Sequence, residues 1–225
     1  MNEFSWSESP NPVAFPVARA GYPLILASAF VTAVFALLGL TVPALIGLFI
    51  TLFICCFFRD PDRLVPTDDS AVVSPADGKV IFSDLVDQTT FYDGKCRKIS
   101  IFMSIFNVHV NRISQTGRVV DVRYHPGKFF SANLDKASKD NEHNAVFIRT
   151  ESGQNLCMVQ IAGLIARRII CGVQEGDDVV RGRRFGMICF GSRLDVYLPP
   201  ETHIDVKTGD KVKAGTSILG HLSPS

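Results

Sequence analysis

The sequence predicts a mainly β, barrel-sandwich-like domain that follows an N-terminal hydrophobic helical hairpin. Three observations support this fold class. An uncharged stretch of 39 residues separates Arg19 from Arg59, and a soluble helix normally needs a polar face. Beyond residue 59, short β-like runs alternate with turn residues. A degenerate glycine–aspartate repeat lies near the C-terminus. The 225 residues, 47% of them hydrophobic, have room for one sizeable domain plus a further segment.

The uncharged stretch divides into two apolar segments, residues 22–38 and 44–58, joined by turn-forming residues. Each is slightly shorter than the ~20 residues that a membrane-spanning helix needs. We therefore expect a hairpin that associates with a membrane, and it is left open whether the hairpin spans the bilayer or is only embedded in it. Arg59 and Arg63 at its exit favour the cytoplasmic side for the main domain, by the positive-inside rule. The expected boundaries are 1–20 for an N-terminal segment, 21–58 for the hairpin and 59–225 for the main domain.

The main domain consists of predicted strands separated by turns. The strand-like runs are 72–73, 79–82, 98–103, 118–123, 145–150 and 156–161. Residues 131–140 show a weak helical pattern. The motif Gly-Asp-x-Val-x-x-Gly occurs at 176–182 and again at 209–215, and its glycines and aspartates are typical of tight turns. This motif resembles the hairpins of biotinyl- and lipoyl-like domains.

The charge balance and the cysteines exclude two classes of function. The 23 basic side chains nearly balance the 22 acidic ones, so the chain is not a strongly basic nucleic-acid-binding protein. The six cysteines show neither a CxxC pair nor zinc-ligand spacing. We expect reduced, mostly buried thiols and no metal site.

The dipeptide Gly191-Ser192 precedes an alternating strand pattern and is the candidate reactive site. A bend in a strand is the simpler explanation of a glycine at this place. The chemical alternative arises because Gly191 has no side chain to shield its carbonyl from the Ser192 hydroxyl. An N→O acyl shift would give an ester, and β-elimination would then split the chain. The dehydroalanine left at residue 192 would hydrolyse to a pyruvoyl group with loss of ammonia.

Residues 185–199 closely resemble the self-cleavage region of phosphatidylserine decarboxylases of the short prokaryotic form. Further segments match the same family in order. Residues 74–80 resemble its Asp-Gly turn, residues 102–112 its histidine strand, and residues 126–144 its substrate-side loop. Together these ordered matches are far more specific than Gly-Ser alone, and they cover roughly residues 59–220.

The resemblance implies an enzyme that decarboxylates phosphatidylserine to phosphatidylethanolamine through a Schiff base with a pyruvoyl group derived from Ser192. Cleavage between Gly191 and Ser192 would yield residues 1–191 and residues 192–225, which would stay together as a heterodimer. A higher oligomer and the preference for particular lipid chains are left open. The substrate would be a phospholipid of the cytoplasmic membrane.

The resemblance also implies roles for two side chains. Asp77 would be the acid/base partner that helps to activate Ser192. His109 would move protons in the site, because imidazole titrates near neutral pH. How the two divide the work between self-cleavage and decarboxylation is left open.

Two other functions fit parts of the sequence. One is a membrane-anchored lipoyl-like carrier or adaptor without enzymatic activity, since Asp135-Lys136-Ala137 resembles a lipoyl-attachment triad. A carrier lysine needs a tight hairpin tip, however, and Lys136 lies in the weakly helical segment. The other is a pyruvoyl enzyme for a soluble amino acid, which the apolar hairpin disfavours. Arg183 and Arg184 would either meet a lipid phosphate or form a solvated turn.

Overall fold

The computed structural model describes residues 4–8, 15–127, 141–163, 168–189 and 191–224. The chain forms two compact units, one of Pro10–Asp62 and one of Met1–Ser9 together with Arg63–Ser225. The segment 131–140, for which a weak helix is predicted, lies outside the described residues, as does Lys136 of the carrier alternative.

The unit Pro10–Asp62 is a helical hairpin. A 3₁₀ turn, Arg19–Gly21, leads into α1 (Tyr22–Leu37), and α2 (Thr41–Phe57) follows a short turn. The hairpin predicted from the uncharged stretch is therefore confirmed. The helical stretch Arg19–Leu37 is long and apolar enough to cross a membrane, whereas Thr41–Phe57 is shorter.

Small and hydroxyl-bearing residues bring the two helices together. Gly47 of α2 faces Thr32 of α1 so closely that a Cβ at Gly47 would lie 2.6 Å from the Thr32 hydroxyl oxygen. The hydroxyl groups of Thr32 and Thr51 are 3.3 Å apart. Each threonine also donates a hydrogen bond to a backbone carbonyl one turn earlier in its own helix. The polar atoms of the hairpin are thus paired internally, which an apolar surrounding requires.

The described residues of the second unit form an antiparallel β structure, which confirms the predicted mainly β fold. The strands are β1 (Phe4–Trp6), β2 (Leu64–Pro66), β3 (Ala71–Val73), β4 (Gly78–Val86), β5 (Cys96–Met103), β6 (Val110–Arg112), β7 (Gly117–His125), β8 (His143–Arg149), β9 (Asn155–Ala162), β10 (Ile169–Cys171), β11 (Asp178–Val179), β12 (Arg184–Ile188), β13 (Ser192–Leu198), β14 (His203–Ile204), β15 (Lys211–Val212) and β16 (Ile218–His221).

The largest sheet has the strand order β11-β7-β8-β9-β13-β5-β4-β15 and curls around the main core. Two three-stranded sheets, β10-β12-β6 and β14-β16-β3, and the two-stranded ribbon β1-β2 complete the unit. Strand β13 lies at the centre, paired with β5 on one side and β9 on the other. Its alternate residues Leu194, Val196 and Leu198 enter the main core.

The Gly-Asp repeat marks an approximate twofold repeat of the whole β unit. Val179 of the first copy pairs with Gly117 at the start of β7, and Val212 of the second copy pairs with Gly78 at the start of β4. The large sheet has the same pattern of strands from either end, since β11-β7-β8-β9 corresponds to β15-β4-β5-β13. The segment that begins at residue 71 therefore repeats the segment that begins at residue 110.

The glycines at the ends of the two motifs occupy the same place in each half. Gly182 donates its N–H to Ile113, and Gly215 donates its N–H to Ser74, both at 2.8 Å. Their φ angles are +79° and +73°, a left-handed conformation that glycine adopts without strain. The sequence repeat is thus a structural repeat. Residues at the start of the segment that begins at residue 71 have counterparts at the start of the segment that begins at residue 110.

Candidate active site

Ser192 is buried at the first position of β13. It pairs with Met103 of β5 and with Ala162 of β9, and its hydroxyl donates a 3.3 Å hydrogen bond to the Met103 sulfur. A thioether is a weak acceptor, so this contact holds the hydroxyl only loosely. Gly191 has a φ of +64°, and a Cβ built on it would have no heavy atom of the described residues within 4 Å. The peptide before Ser192 is therefore not crowded from the side of Gly191.

Asp77 lies just before β4, with both carboxylate oxygens engaged. Oδ1 accepts the N–H of Ala214 at 2.8 Å, and Oδ2 accepts a hydrogen bond from the Arg63 guanidinium at 2.9 Å. Because Lys79 pairs with Phe102, the start of β4 lies across β5 from Ser192. Two strand spacings, about 10 Å, separate the two backbone positions. Strand β5 therefore lies between the start of β4, next to Asp77, and Ser192.

His109 is fully buried next to β6. Its Nδ1 lies 3.0 Å from the backbone carbonyl of Asn107. A carbonyl only accepts, so Nδ1 carries the proton and Nε2 is the basic nitrogen of the neutral ring. The His109 carbonyl accepts the N–H of Ile188 at 3.4 Å, four residues before Ser192. This contact ties the backbone of His109 to the segment that leads into Ser192.

A row of three buried side-chain amides ends beside Ser192. The amide of Asn144 donates to Gln160 at 3.1 Å, and the amide of Gln160 donates to Asn111 at 2.9 Å. Asn111 in turn directs its NH₂ at the Met103 sulfur, 3.8 Å away, which is the sulfur that the Ser192 hydroxyl contacts. The amide dipoles of the row align, so their effects add. The row thus ends in an NH₂ group that shares the Met103 sulfur with the Ser192 hydroxyl.

The structural repeat allows the turn hydrogen bond of Asp77 to be compared with that of an uncharged residue at the equivalent position. In the other half, Thr116 occupies the place of Asp77, and its hydroxyl accepts the N–H of Arg181 at 3.1 Å. The Asp77 carboxylate accepts the N–H of Ala214 in the same way. A neutral hydroxyl therefore suffices to accept this turn N–H, and the charge of Asp77 serves its pairing with Arg63 instead.

The repeat also relates His109 to Ser70. The Ser70 carbonyl accepts the N–H of Leu222 at 2.9 Å, as the His109 carbonyl accepts that of Ile188. Ser70 and Thr116 line one cavity of about 600 Å³. Ser70 belongs to the first half and Thr116 to the second, and their counterparts in the repeat are His109 and Asp77. The two halves share a scaffold, and each carries one ionisable and one neutral side chain at these positions: Asp77 and Ser70 in the first, His109 and Thr116 in the second.

Arg193 and Asp195 form a buried ion pair on the opposite face of β13. Arg193 is 2% exposed and Asp195 fully buried, and the two side chains make a bidentate contact of 2.5 and 2.7 Å. Lys98 lies 3.5 Å from the same carboxylate. This pair links the first and third residues after Ser192 on the face opposite to the main core.

Cys189 is the thiol nearest to the reactive serine in sequence. Burial raises its pKa, although the charge of Arg168 opposes the shift. The thiol therefore stays protonated at neutral pH and is a poor nucleophile. Ser192 consequently has no competitor at this position of the chain.

Sequence reasoning missed the amide row and the burial of the ion pair. Asn111 alternates with His109 in the sequence, but alternation alone does not distinguish a solvated face from a buried polar row. Gln160 stands inside the apolar run 156–161, and a polar residue in such a run is a signal for a buried hydrogen-bond partner.

Comparison with known proteins places this arrangement in one family. A family model described as phosphatidylserine decarboxylase matches residues 50–220. The phosphatidylserine decarboxylase proenzyme of Syntrophus aciditrophicus is 53% identical over 206 residues, which cover 91% of this chain and 96% of the relative. The proteins of the same name from Desulfotalea psychrophila and Solidesulfovibrio magneticus are 48% and 51% identical, over 92% and 90% of this chain and 97% and 94% of the relatives.

We predict that Arg193→Met lowers the free energy of unfolding by about 3–5 kcal/mol, because it leaves Asp195 buried without its bidentate partner. Lys95→Met is the matched control, since Lys95 pairs with Asp87 at the surface, and exposed pairs contribute about 0–1 kcal/mol. Thermal unfolding of the purified full-length variants measures the difference. Equal unfolding midpoints for the two variants would contradict a stabilising role of the buried pair.

Proposed function

This chain belongs to the phosphatidylserine decarboxylase family of carboxy-lyases, and we propose that it converts phosphatidylserine to phosphatidylethanolamine through a pyruvoyl group made from its own Ser192. The observation that carries the proposal is the setting of Ser192: a buried hydroxyl whose hydrogen bond within the described part of the chain goes to a sulfur, directly after an uncrowded glycine peptide. The relatives are named proenzymes, which supports activation by cleavage here as well.

Self-cleavage begins when the Ser192 hydroxyl attacks the carbonyl carbon of Gly191. The basic Nε2 of His109 takes the hydroxyl proton, and the NH₂ of Asn111 stabilises the oxyanion. The Gly191–Ser192 C–N bond then breaks as the ester forms, and the freed nitrogen takes up a proton. Loss of the Cα proton of residue 192 expels the Gly191 carboxylate and leaves dehydroalanine. Water converts this residue to pyruvoyl and ammonia.

Asp77 contributes its negative charge from across β5. The charge favours the imidazolium that forms when His109 accepts the serine proton, as a carboxylate does in other serine–histidine sites. Arg63 balances the carboxylate at rest, with the two side chains 2.9 Å apart and both largely buried. We assign Asp77 as the acid/base partner of the site, acting on Ser192 by way of His109.

The residues around position 192 fit a pyruvoyl group. Cleavage before Ser192 cuts the chain at the start of β13, so all seven residues of that strand keep their pairing with β5 and six of them keep their pairing with β9. The products 1–191 and 192–225 therefore remain one folded body. A pyruvoyl group there supplies a ketone that binds the substrate amine and accepts the electron pair released with CO₂. His109 then holds the proton that returns to the substrate carbon.

The hairpin supports a location at the cytoplasmic membrane. Strand β1 before the hairpin pairs with β2 after it, so both ends of Pro10–Asp62 return to the same unit. An even number of membrane crossings, or none, satisfies this constraint. Arg59 and Arg63 at the exit favour the cytoplasmic side for the catalytic unit. A two-chain lipid stays in the bilayer, because each CH₂ exposed to water costs about 0.8 kcal/mol.

Ser192→Ala is expected to remain a single uncleaved, inactive chain. The wild-type protein is expected to separate on a denaturing gel into residues 1–191 and residues 192–225, the smaller of which resists Edman degradation. Ser114→Ala is the matched control, because Ser114 is also a buried serine that donates to a methionine sulfur, at 3.3 Å from Met158. A single full-length band from active wild-type enzyme would refute the cleavage.

Asp77→Thr is expected to fold and to slow self-cleavage by about 10²-fold or more, the lower range for a lost acid–base contribution. Threonine supplies the hydroxyl that Thr116 uses at the equivalent turn, so the hydrogen bond to Ala214 is kept while the charge and its pairing with Arg63 are lost. His109→Ala is expected to slow cleavage, decarboxylation or both to a similar degree. The cleaved fraction is followed over time on gels, with Thr116→Val as the control. Wild-type rates of cleavage and decarboxylation in both Asp77→Thr and His109→Ala would contradict the roles assigned to Asp77 and His109.

Asn111→Asp is expected to slow self-cleavage by about 10²–10³-fold, as the loss of one oxyanion donor does elsewhere. The aspartate still accepts from Gln160, so the amide row is kept while the donor toward Ser192 is lost. Asn111→Leu is expected to slow cleavage equally and to destabilise the protein in addition, because Gln160 loses its acceptor. Normal cleavage in a well-folded Asn111→Asp protein would show that the donor plays no part.

A further inference from the structure

The ribbon β1-β2 presents an apolar face to the outside of the catalytic unit. Phe4 pairs with Pro66 and Trp6 pairs with Leu64, so these four side chains share one face of the ribbon. Phe4, Trp6 and Leu64 are 42%, 50% and 43% exposed. Two aromatic side chains and a leucine thus stand together at the surface.

The opposite face of the ribbon anchors it to the unit. Val65 is 3% exposed and packs on the turn at Gly182, where an added Cβ would lie 2.3 Å from a Val65 methyl group. This close packing leaves the ribbon one orientation. The apolar face is therefore held outward rather than folded into the core.

A cluster of charged side chains around Glu8 also holds β1 in place. The Glu8 carboxylate, two residues after Trp6, contacts the Arg184 guanidinium and lies 3.9 Å from Arg112 and 3.8 Å from Arg183. Arg112 is 3% exposed, so this charged cluster extends into the interior of the unit. The arginine pair 183–184, for which sequence analysis left open a lipid phosphate or a solvated turn, thus meets a carboxylate of the chain itself.

We propose that the face formed by Phe4, Trp6 and Leu64 is seated in the headgroup region of a lipid bilayer. The ribbon is continuous with the apolar hairpin at both strands, and six residues separate Phe57 at the end of α2 from Leu64. Seven extended peptide steps reach at most about 25 Å, so β2 is tethered close to the point where the hairpin ends. Tryptophan and phenylalanine are suited to this region, where one end of the ring is apolar and the other wet.

A second copy of the chain fits the face formed by Phe4, Trp6 and Leu64 less well than a lipid bilayer does. Each strand of the ribbon has only three residues, and the face offers three partly exposed side chains. A stable protein interface buries about 800 Å² on each partner, which is far more than such a face supplies. The proposal goes beyond the proposed function, because it depends on membrane association and not on decarboxylation.

Trp6 is the single tryptophan of the chain, so its fluorescence tests the proposal without any label. The full-length protein is placed in vesicles of phosphatidylethanolamine and phosphatidylglycerol in which part of the lipid carries bromine near the headgroup or deep in the chains. We expect emission blue-shifted from that of the urea-unfolded protein, protection from iodide, and stronger quenching by shallow than by deep bromines. Water-like emission with full iodide access and no bromine quenching would overturn the proposal.

Phe4→Ser and Leu64→Ser are expected to increase iodide access to Trp6 and to weaken quenching by the shallow bromines. Leu85→Ser is the matched control, since Leu85 is 39% exposed on β4, outside the ribbon. Protection that grows with protein concentration and is insensitive to bromine would assign the face to a second copy and overturn the proposal. Chain cleavage is scored in the same samples, so a failure of the proposed function is seen separately.

Discussion

The pairing of β13 with β5 and β9 is the constraint on which the rest of the molecule depends. It places Ser192 at the first residue of a fully paired strand, with the sulfur of Met103 as its hydroxyl's partner. The buried contact between Arg193 and Asp195 keeps the same residues in register from the other face. The bond that the proposed cleavage breaks lies directly before this strand, so the cleavage we propose changes the covalent chain and leaves the strand pairing in place.

The internal repeat shows how a reactive site arises on a scaffold that does not itself need one. Both halves satisfy the same turn N–H, one with the carboxylate of Asp77 and the other with the hydroxyl of Thr116. The neutral group does this work in one half, whereas in the other half the carboxylate also pairs with Arg63. Asp77 is one of the residues to which the family resemblance points, and its role in catalysis remains a proposal.

Much of the fold was predictable from sequence, because its signals are local. The uncharged stretch indicates the hairpin, and the paired glycines of the Gly-Asp motif mark turns that need positive φ. Tertiary contacts were beyond reach. The strand pattern puts Arg193 and Asp195 on one face of the strand, but it does not show which residues cover that face. Nothing in the sequence near Glu8 indicates that three arginines surround its carboxylate. The expected domain boundaries stay a prediction, and residues 4–8 lie in the unit that contains Ser192.

The mass of the small chain tests the central claim most directly. The full-length enzyme is incubated with a short-chain phosphatidylserine and cyanoborohydride, which reduces an imine to a stable amine, and the chain that begins at residue 192 is then measured by mass spectrometry. The account predicts a pyruvoyl terminus in the untreated sample and an added lipid amine on residue 192 after reduction. A small chain that begins with an unmodified serine, or a reduced adduct on a lysine, would contradict it.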